Sequence, residues 1–152
     1  MLLLLVAGLM GGIVGRIQLQ QRVTGLMEVK SRIHRLRERI RYAAVPMEEL
    51  FAEFGVVPST TAAPEFEREE WERCVSEWGE SVGLSADDKT VLEGFAQGFG
   101  RLDVEGEIRF CEEYQEVFSE RLEHAREAVR TKGRVWLTLG VCGGLTVGLL
   151  FL

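Results

Sequence analysis

Two histidines, His34 and His124, and three cysteines, Cys74, Cys111 and Cys142, are the side chains here best suited to hold a metal or act as a nucleophile. Their spacing supports neither role. A zinc site needs paired cysteines, histidines four apart, or a histidine among carboxylates in a defined pocket. No C-x-x-C occurs, and the carboxylates beside His124, Glu120 and Glu123, are ordinary surface composition for a charged helix. Three cysteines without paired spacing give no disulfide framework and fit a reducing compartment. Carboxylate pairs recur at Glu48–Glu49, Glu69–Glu70, Asp87–Asp88 and Glu112–Glu113. Acid–base catalysis requires such a group in a cleft with a shifted pKa. Adjacent acids on an amphipathic helix are instead expected to be solvated. Neither G-x-x-x-x-G-K-[ST] nor G-x-S-x-G is present, so these nucleotide-loop and serine-hydrolase patterns are excluded. The residues predict no catalytic group, no cofactor and no metal, hence no enzyme.

The elements that carry these residues are set by a sharp partition of charge. The 152 residues are 46% hydrophobic with a net charge of −6. Residues 1–15 and 135–152 nevertheless carry no charged side chain, whereas the stretch between is densely charged. A bilayer sorts residues this way. The C-terminal run, WLTLGVCGGLTVGLLFL after Val135, is roughly 27 Å long as a helix, close to a hydrocarbon core of about 30 Å. It predicts a transmembrane helix over 135–152. Gly140, Gly144 and Gly148 repeat the G-x-x-x-G spacing that lets membrane helices approach closely and would suit a homo-oligomer, although glycine is also simply common in such helices. The N-terminal run, MLLLLVAGLMGGIVG, reaches only about 22 Å. It lacks a preceding Lys or Arg and an A-x-A-like cleavage site, so it is expected to be an uncleaved anchor rather than a signal peptide. With Ile17 and Leu19 it makes a span over 1–19 in which Arg16 snorkels. The cations of 16–41 and Arg126, Arg130, Lys132 and Arg134 flank the spans on their inner side, which predicts a cytoplasmic middle over 16–134.

That middle predicts an all-α fold, a helical hairpin or bundle whose outer helices continue into the bilayer. Val23, Leu26, Val29, Ile33, Leu36 and Ile40 form a heptad-like stripe on one long helix with a basic, solvated opposite face. Pro46 is expected in the first turn of a short helix ended by Gly55, followed by a linker over 56–64. A third helix follows Pro64, with Phe66, Trp71, Cys74, Val75, Trp78 and Val82 near one face. Ser85 and Asp88 resemble a capping box, Val91, Leu92, Phe95 and Phe99 line the next helix, and Gly98 and Gly100 are its candidate C-caps. Asp103 is the expected N-cap of the last helix, with Ile108, Cys111, Gln115, Phe118, Leu122, Ala125 and Val129 along one side. Residues 48–123 hold 21 acids and six bases, a net of −15, which disfavours nucleic acid as a partner.

One stretch resembles a known family. LEGFAQGFGRLDVEGEIRF, from Leu92 to Phe110, is similar to the F-x-x-x-[FL]-G-x-x-D-x-x-x-Q pattern of stage III sporulation protein AB. Phe95, Phe99, Gly100 and Asp103 match it, and Glu107 stands where that family often has Gln. Leu139, Gly140 and Gly144 match its terminal membrane helix, after a basic joint with Lys132. Residues 47–64 look shorter than the family's middle, so a helix is expected to be reduced or missing there. The resemblance implies a membrane protein on the mother-cell side of the channel between mother cell and forespore. It also implies a helical domain similar to the platform proteins of type II secretion and type IV pilus systems, which couple a cytoplasmic ATPase to membrane rings. The partners expected on this basis are other channel subunits, a cytoplasmic ATPase and the lipid bilayer. The head between Phe66 and Phe118 is the expected docking region, because its Trp and Phe residues exceed what so small a core requires. The competing classes are an unrelated membrane hairpin, holin-like or division-associated, and a membrane-tethered enzyme.

Overall fold

The computed structural model describes residues 2–43, 45–55 and 64–150, and the side chains of 16–43, 45–46, 49–55 and 68–132. Every regular element among them is helical: α1 (Leu2–Ala43), α2 (Met47–Phe51) with a 3-10 turn at Ala52–Phe54, α3 (Pro64–Ser81), α4 (Ala86–Gly98) and α5 (Val104–Leu150). Among the described residues no helix is long and apolar enough to cross a membrane. The side chains of residues 1–15, most of the predicted span over 1–19, and of the predicted span over 135–152 lie outside the described residues, as do Cys142 and most of the 56–64 linker.

α1 and α5 form the closest helix pair. The stripe on α1 explains why. Leu26, Val29, Ile33 and Leu36 are fully buried, at spacings of three, four and three. Cys111, Phe118, Leu122 and Ala125 of α5 are buried opposite them. This is coiled-coil spacing on both partners. Arg41 reaches Glu112 at 3.1 Å and Arg126 reaches Met27 Sδ at 3.8 Å. The pairing is therefore antiparallel, and the N-terminal end of α1 lies at the same end as the C-terminal end of α5.

α3 and α4 make a second pair, joined through Gly83 and Leu84, and lie across the first. Between the two layers runs a chain of aromatic rings. Phe51 stacks on Trp71 at 4.7 Å, Trp71 tilts against Phe99 at 5.7 Å, Phe99 meets Phe95 at 5.3 Å, and Phe95 stacks on Phe110 at 5.6 Å. Such pairs contribute about 0.5–1.5 kcal/mol each beyond burial. Trp71, Phe95, Phe99 and Phe118 are fully buried. The aromatic residues expected to be spare are thus the core itself, because the two helical layers need large rings to fill the space between them. α2 is too short to persist alone; it is held because Leu50, Phe51 and Phe54 plug into this core. Pro46 precedes α2 as its N-cap, extended at ψ 148°, rather than entering its first turn. Gly55 ends the segment in the left-handed region, φ 89°.

The basic face of α1 is less solvated than its composition suggests. Arg35 and Arg39 pair with Glu53, Arg37 with Glu38 and Glu112, and Arg41 with Glu112. Arg32 donates to the Glu53 carbonyl and lies over the Trp78 ring at 4.2 Å. Glu53 of the 3-10 turn and Glu112 of α5 approach from either side of α1, so these guanidinium groups are held in half-exposed ion pairs.

Gly25, the single glycine of α1 between Arg16 and Ala43, faces the α3–α4 turn. A Cβ there would strike the Val82 backbone carbonyl. Gly25→Ala should lower stability by about 1–3 kcal/mol, although alanine favours an exposed helix by about 1 kcal/mol. Unfolding of the full chain in micelles, followed by circular dichroism, measures the sign; a raised midpoint would contradict this approach of turn to helix.

Candidate functional site at the ends of α4

Two carboxylates bracket α4, and both are buried. Asp88 lies in its first turn and is fully buried; Glu107, on α5 just beyond the turn that follows α4, is 2% exposed. The expectation that adjacent acids are solvated therefore fails at Asp88. The signal was present in the sequence. Asp88 continues the apolar stripe of Leu92, Phe95 and Phe99, and Glu107 stands four residues before buried Cys111. An acid on the buried stripe is more informative than two acids side by side.

At the first end, Ser85 is the N-cap of α4 and its Oγ accepts from the Asp88 N–H at 3.3 Å. The same hydroxyl donates to Asp88 Oδ2 at 2.6 Å. Arg22 of α1 forks onto the carboxylate, Nε to Oδ2 at 2.6 Å and Nη2 to Oδ1 at 3.1 Å. Arg121 of α5 donates to Oδ1 at 2.8 Å. Burial alone would push this carboxyl up. The hydrogen bonds from Arg22, Ser85 and Arg121 outweigh it and hold the pKa at about 2. The Arg22 guanidinium is pushed up in turn, mainly by its hydrogen bond to Asp88. Neither arginine was singled out from the sequence, because an isolated cation on a basic helix gives no hint of its partner.

At the second end, α4 stops at Gly98, Phe99 is its extended C-cap, and Gly100 turns the chain at φ 81°. Only glycine adopts that region without strain. Asp103 then caps α5, its Oδ1 accepting from the Gly106 N–H at 3.2 Å. Glu107 Oε1 gathers three donors, the N–H groups of Gly100, Arg101 and Leu102 at 2.8, 2.9 and 2.9 Å. The α4 carbonyls are met from α3: Trp71 Nε1 donates to Ala96 at 2.8 Å and Arg68 to Phe99 at 3.2 Å. Phe95, Phe99, Gly100, Asp103 and Glu107 thus converge on one turn. Leu139, Gly140 and Gly144 lie outside the described side chains.

A family model described as stage III sporulation protein AB matches residues 1–152. The chain belongs to the stage III sporulation protein AB family. It is a protein of sporulation stage III, which sets aside the reading as a hairpin unrelated to sporulation. No curated protein and no solved structure matches the chain. For this family member the turn is a structural device. The chemistry of its polar groups is that of fixed charge. Asp88 stays ionised far below neutral pH, and burial pushes the Cys111 thiol up to about 12, so neither gives or takes a proton under ordinary conditions. Among the described residues no group of three or more His, Cys, Asp or Glu side chains could hold a metal ion.

Two predictions follow from the geometry. Because the Asp88 pKa is depressed in the fold, its contribution is present above the unfolded value near 4 and is lost as pH falls toward about 2. The chain should lose roughly 2 kcal/mol over that window relative to Asp88→Asn, read as the difference between their stability–pH curves; parallel curves would contradict the ion pairs. At the other end, Glu107→Ala leaves three turn N–H groups without an acceptor and should cost about 3 kcal/mol or more. Glu107→Gln keeps an oxygen in place and should cost about 1 kcal/mol. Denaturant midpoints of the two variants order them.

Proposed function

We propose that this chain is a non-catalytic platform in the membrane complex of the sporulation channel, on the mother-cell side, joining a cytoplasmic ATPase to the membrane-embedded subunits. In this reading residues 1–19 and 135–152 span the membrane and the charged middle faces the mother-cell cytoplasm. One observation carries most of the weight. α1 and α5 each run unbroken from an apolar end into the bundle, as 42- and 47-residue helices. They pack antiparallel, so both apolar ends lie together. A load applied to the bundle would reach the membrane along two helices without a hinge between.

Family membership supports the sporulation stage. The build of the bundle supports a mechanical rather than a catalytic part. Its buried charges are spent on joining helices, and its aromatic rings fill the core. A docking surface for the ATPase then has to come from exposed charge, and the acidic faces of α3 and α5, with exposed Glu69, Glu77, Glu113 and Glu120, are the available one.

Deletion in the source organism tests the reading. Sporulation should stop after engulfment while vegetative growth is unaffected. The full chain should co-purify with the cognate ATPase in detergent, and reversal of Glu113, Glu116 and Glu120 to Lys should abolish that without lowering the unfolding midpoint. Normal spore formation by the deletion strain would refute the proposal.

A further inference from the structure

We infer that the end of the α1–α5 pair nearest the apolar segments is a surface for anionic phospholipid headgroups, formed by Arg16, Arg130 and Lys132. The inference rests on the proposed membrane topology and adds to it a lipid preference and the residues that confer it.

Among the described residues ten cations pair with carboxylates. Arg22 and Arg121 are bound to Asp88. Arg32, Arg35, Arg37, Arg39 and Arg41 are bound to Glu28, Glu53, Glu38 and Glu112. These five lie toward the opposite end of the pair. Arg73 and Lys89 pair with Glu70 and Glu80. Arg68 donates to the Phe99 carbonyl, Lys30, Arg101 and Arg109 have no carboxylate partner among the described residues and lie away from the apolar ends, and a second set lies beside those ends. Arg16, Arg130 and Lys132 are all exposed, and among the described residues none has a carboxylate partner. No Asp or Glu precedes Glu28 in α1, and none follows Glu127 in α5.

The antiparallel register brings this second set together. Arg126 touches Met27, so Arg130 and Lys132 lie beside the Val23 and Gln21 level of α1, and Arg16 lies further toward the apolar end. The acid nearest this level on the other layer is Glu80, close to where Gly83 meets Gln21, and it is held by Lys89 at 2.9 Å. Three unneutralised cations at the mouth of two apolar segments match a phosphodiester headgroup at the membrane surface. Each cation near an anionic leaflet raises association roughly fivefold. The fit is to phosphate held in a lipid, because the charges are spread over two helices and about two turns of α1 rather than gathered round one point.

The test uses the full chain, extracted in mild detergent and exchanged with an equimolar mixture of phosphatidylglycerol and phosphatidylcholine. Native mass spectrometry reads the ratio of the two lipids bound. The unaltered chain should retain phosphatidylglycerol at least fivefold over phosphatidylcholine, and Arg16→Gln/Arg130→Gln/Lys132→Gln should bring the ratio near one. Arg35→Gln/Arg39→Gln/Arg41→Gln removes equal charge from the bound set and should leave the ratio unchanged. Equal loss in both variants, or no preference in the unaltered chain, would overturn the inference. Inorganic phosphate that competes the phosphatidylglycerol away would overturn it too, by making free phosphate the ligand. Carbonate extraction of native membranes separates the two ideas: a chain released into the soluble fraction refutes the topology itself, whereas a retained chain without lipid preference refutes only the headgroup surface.

Discussion

Asp88 is the point on which this bundle depends, because three of its long helices meet there. The carboxylate belongs to α4, and its partners Arg22 and Arg121 belong to α1 and α5. Apolar stripes bring helices together but tolerate sliding by a turn. A fork of guanidinium on carboxylate does not, since its hydrogen bonds require one position along each helix. The same anion solves an electrostatic problem. Without it, two guanidinium groups would face each other across the α1–α5 seam with no counter-charge. Replacing such a group with an apolar one of similar shape can be neutral in a redesigned core, but removing one partner alone is costly. Asp88 also sits in the first turn of α4, where the helix dipole favours an anion.

Glu107 does at the other end of α4 what Asp88 does at the first, with backbone donors in place of arginines. A turn of four residues, Phe99 to Leu102, reverses the chain between two antiparallel helices and leaves several N–H groups pointing inward. One carboxylate oxygen collects three of them. Its second oxygen is buried without a hydrogen-bond partner. The glutamate therefore serves the turn through one oxygen, and Phe99, Gly100, Asp103 and Glu107 together close α4 onto α5.

How far these features were legible in the sequence depended on the kind of interaction. The seam on α1 and the stripe on α5 were visible because burial repeats every three to four residues and leaves a periodic trace. The Ser85 and Asp103 caps were visible because a cap acts on N–H groups within three residues of itself. Asp88 as an ion-pair node was not, since Arg22 is 66 residues away and Arg121 is 33. The binding of Arg35 and Arg39 to Glu53 was hidden for the same reason: Glu53 sits on a short segment whose approach to α1 is set by Leu50, Phe51 and Phe54 entering the core. Long-range partners become visible only when the fold has placed them. The cations look alike in composition, yet one set is committed to carboxylates and another is not.

Bracketing α4 by two carboxylates also bears on how the bundle would move. Asp88 ties the start of α4 to both α1 and α5, and Glu107 ties its end to α5 alone. Trp71 and Arg68 fasten α3 to the same closing turn. A rotation of α5 relative to α1 would have to break the Asp88 fork, and a shift of α4 along α5 would have to empty the Glu107 acceptor. Both are held by charge-assisted hydrogen bonds, which are about twice as strong as neutral ones. The loosely held parts are elsewhere: α2 is joined mainly by three apolar side chains and Glu53. A bundle built this way yields by moving as one body, with its freedom left to the segments that connect it to whatever lies at its two ends. For a part proposed to join a partner to a membrane, that is the stiffness required, since displacement absorbed by an internal hinge would not reach the other side.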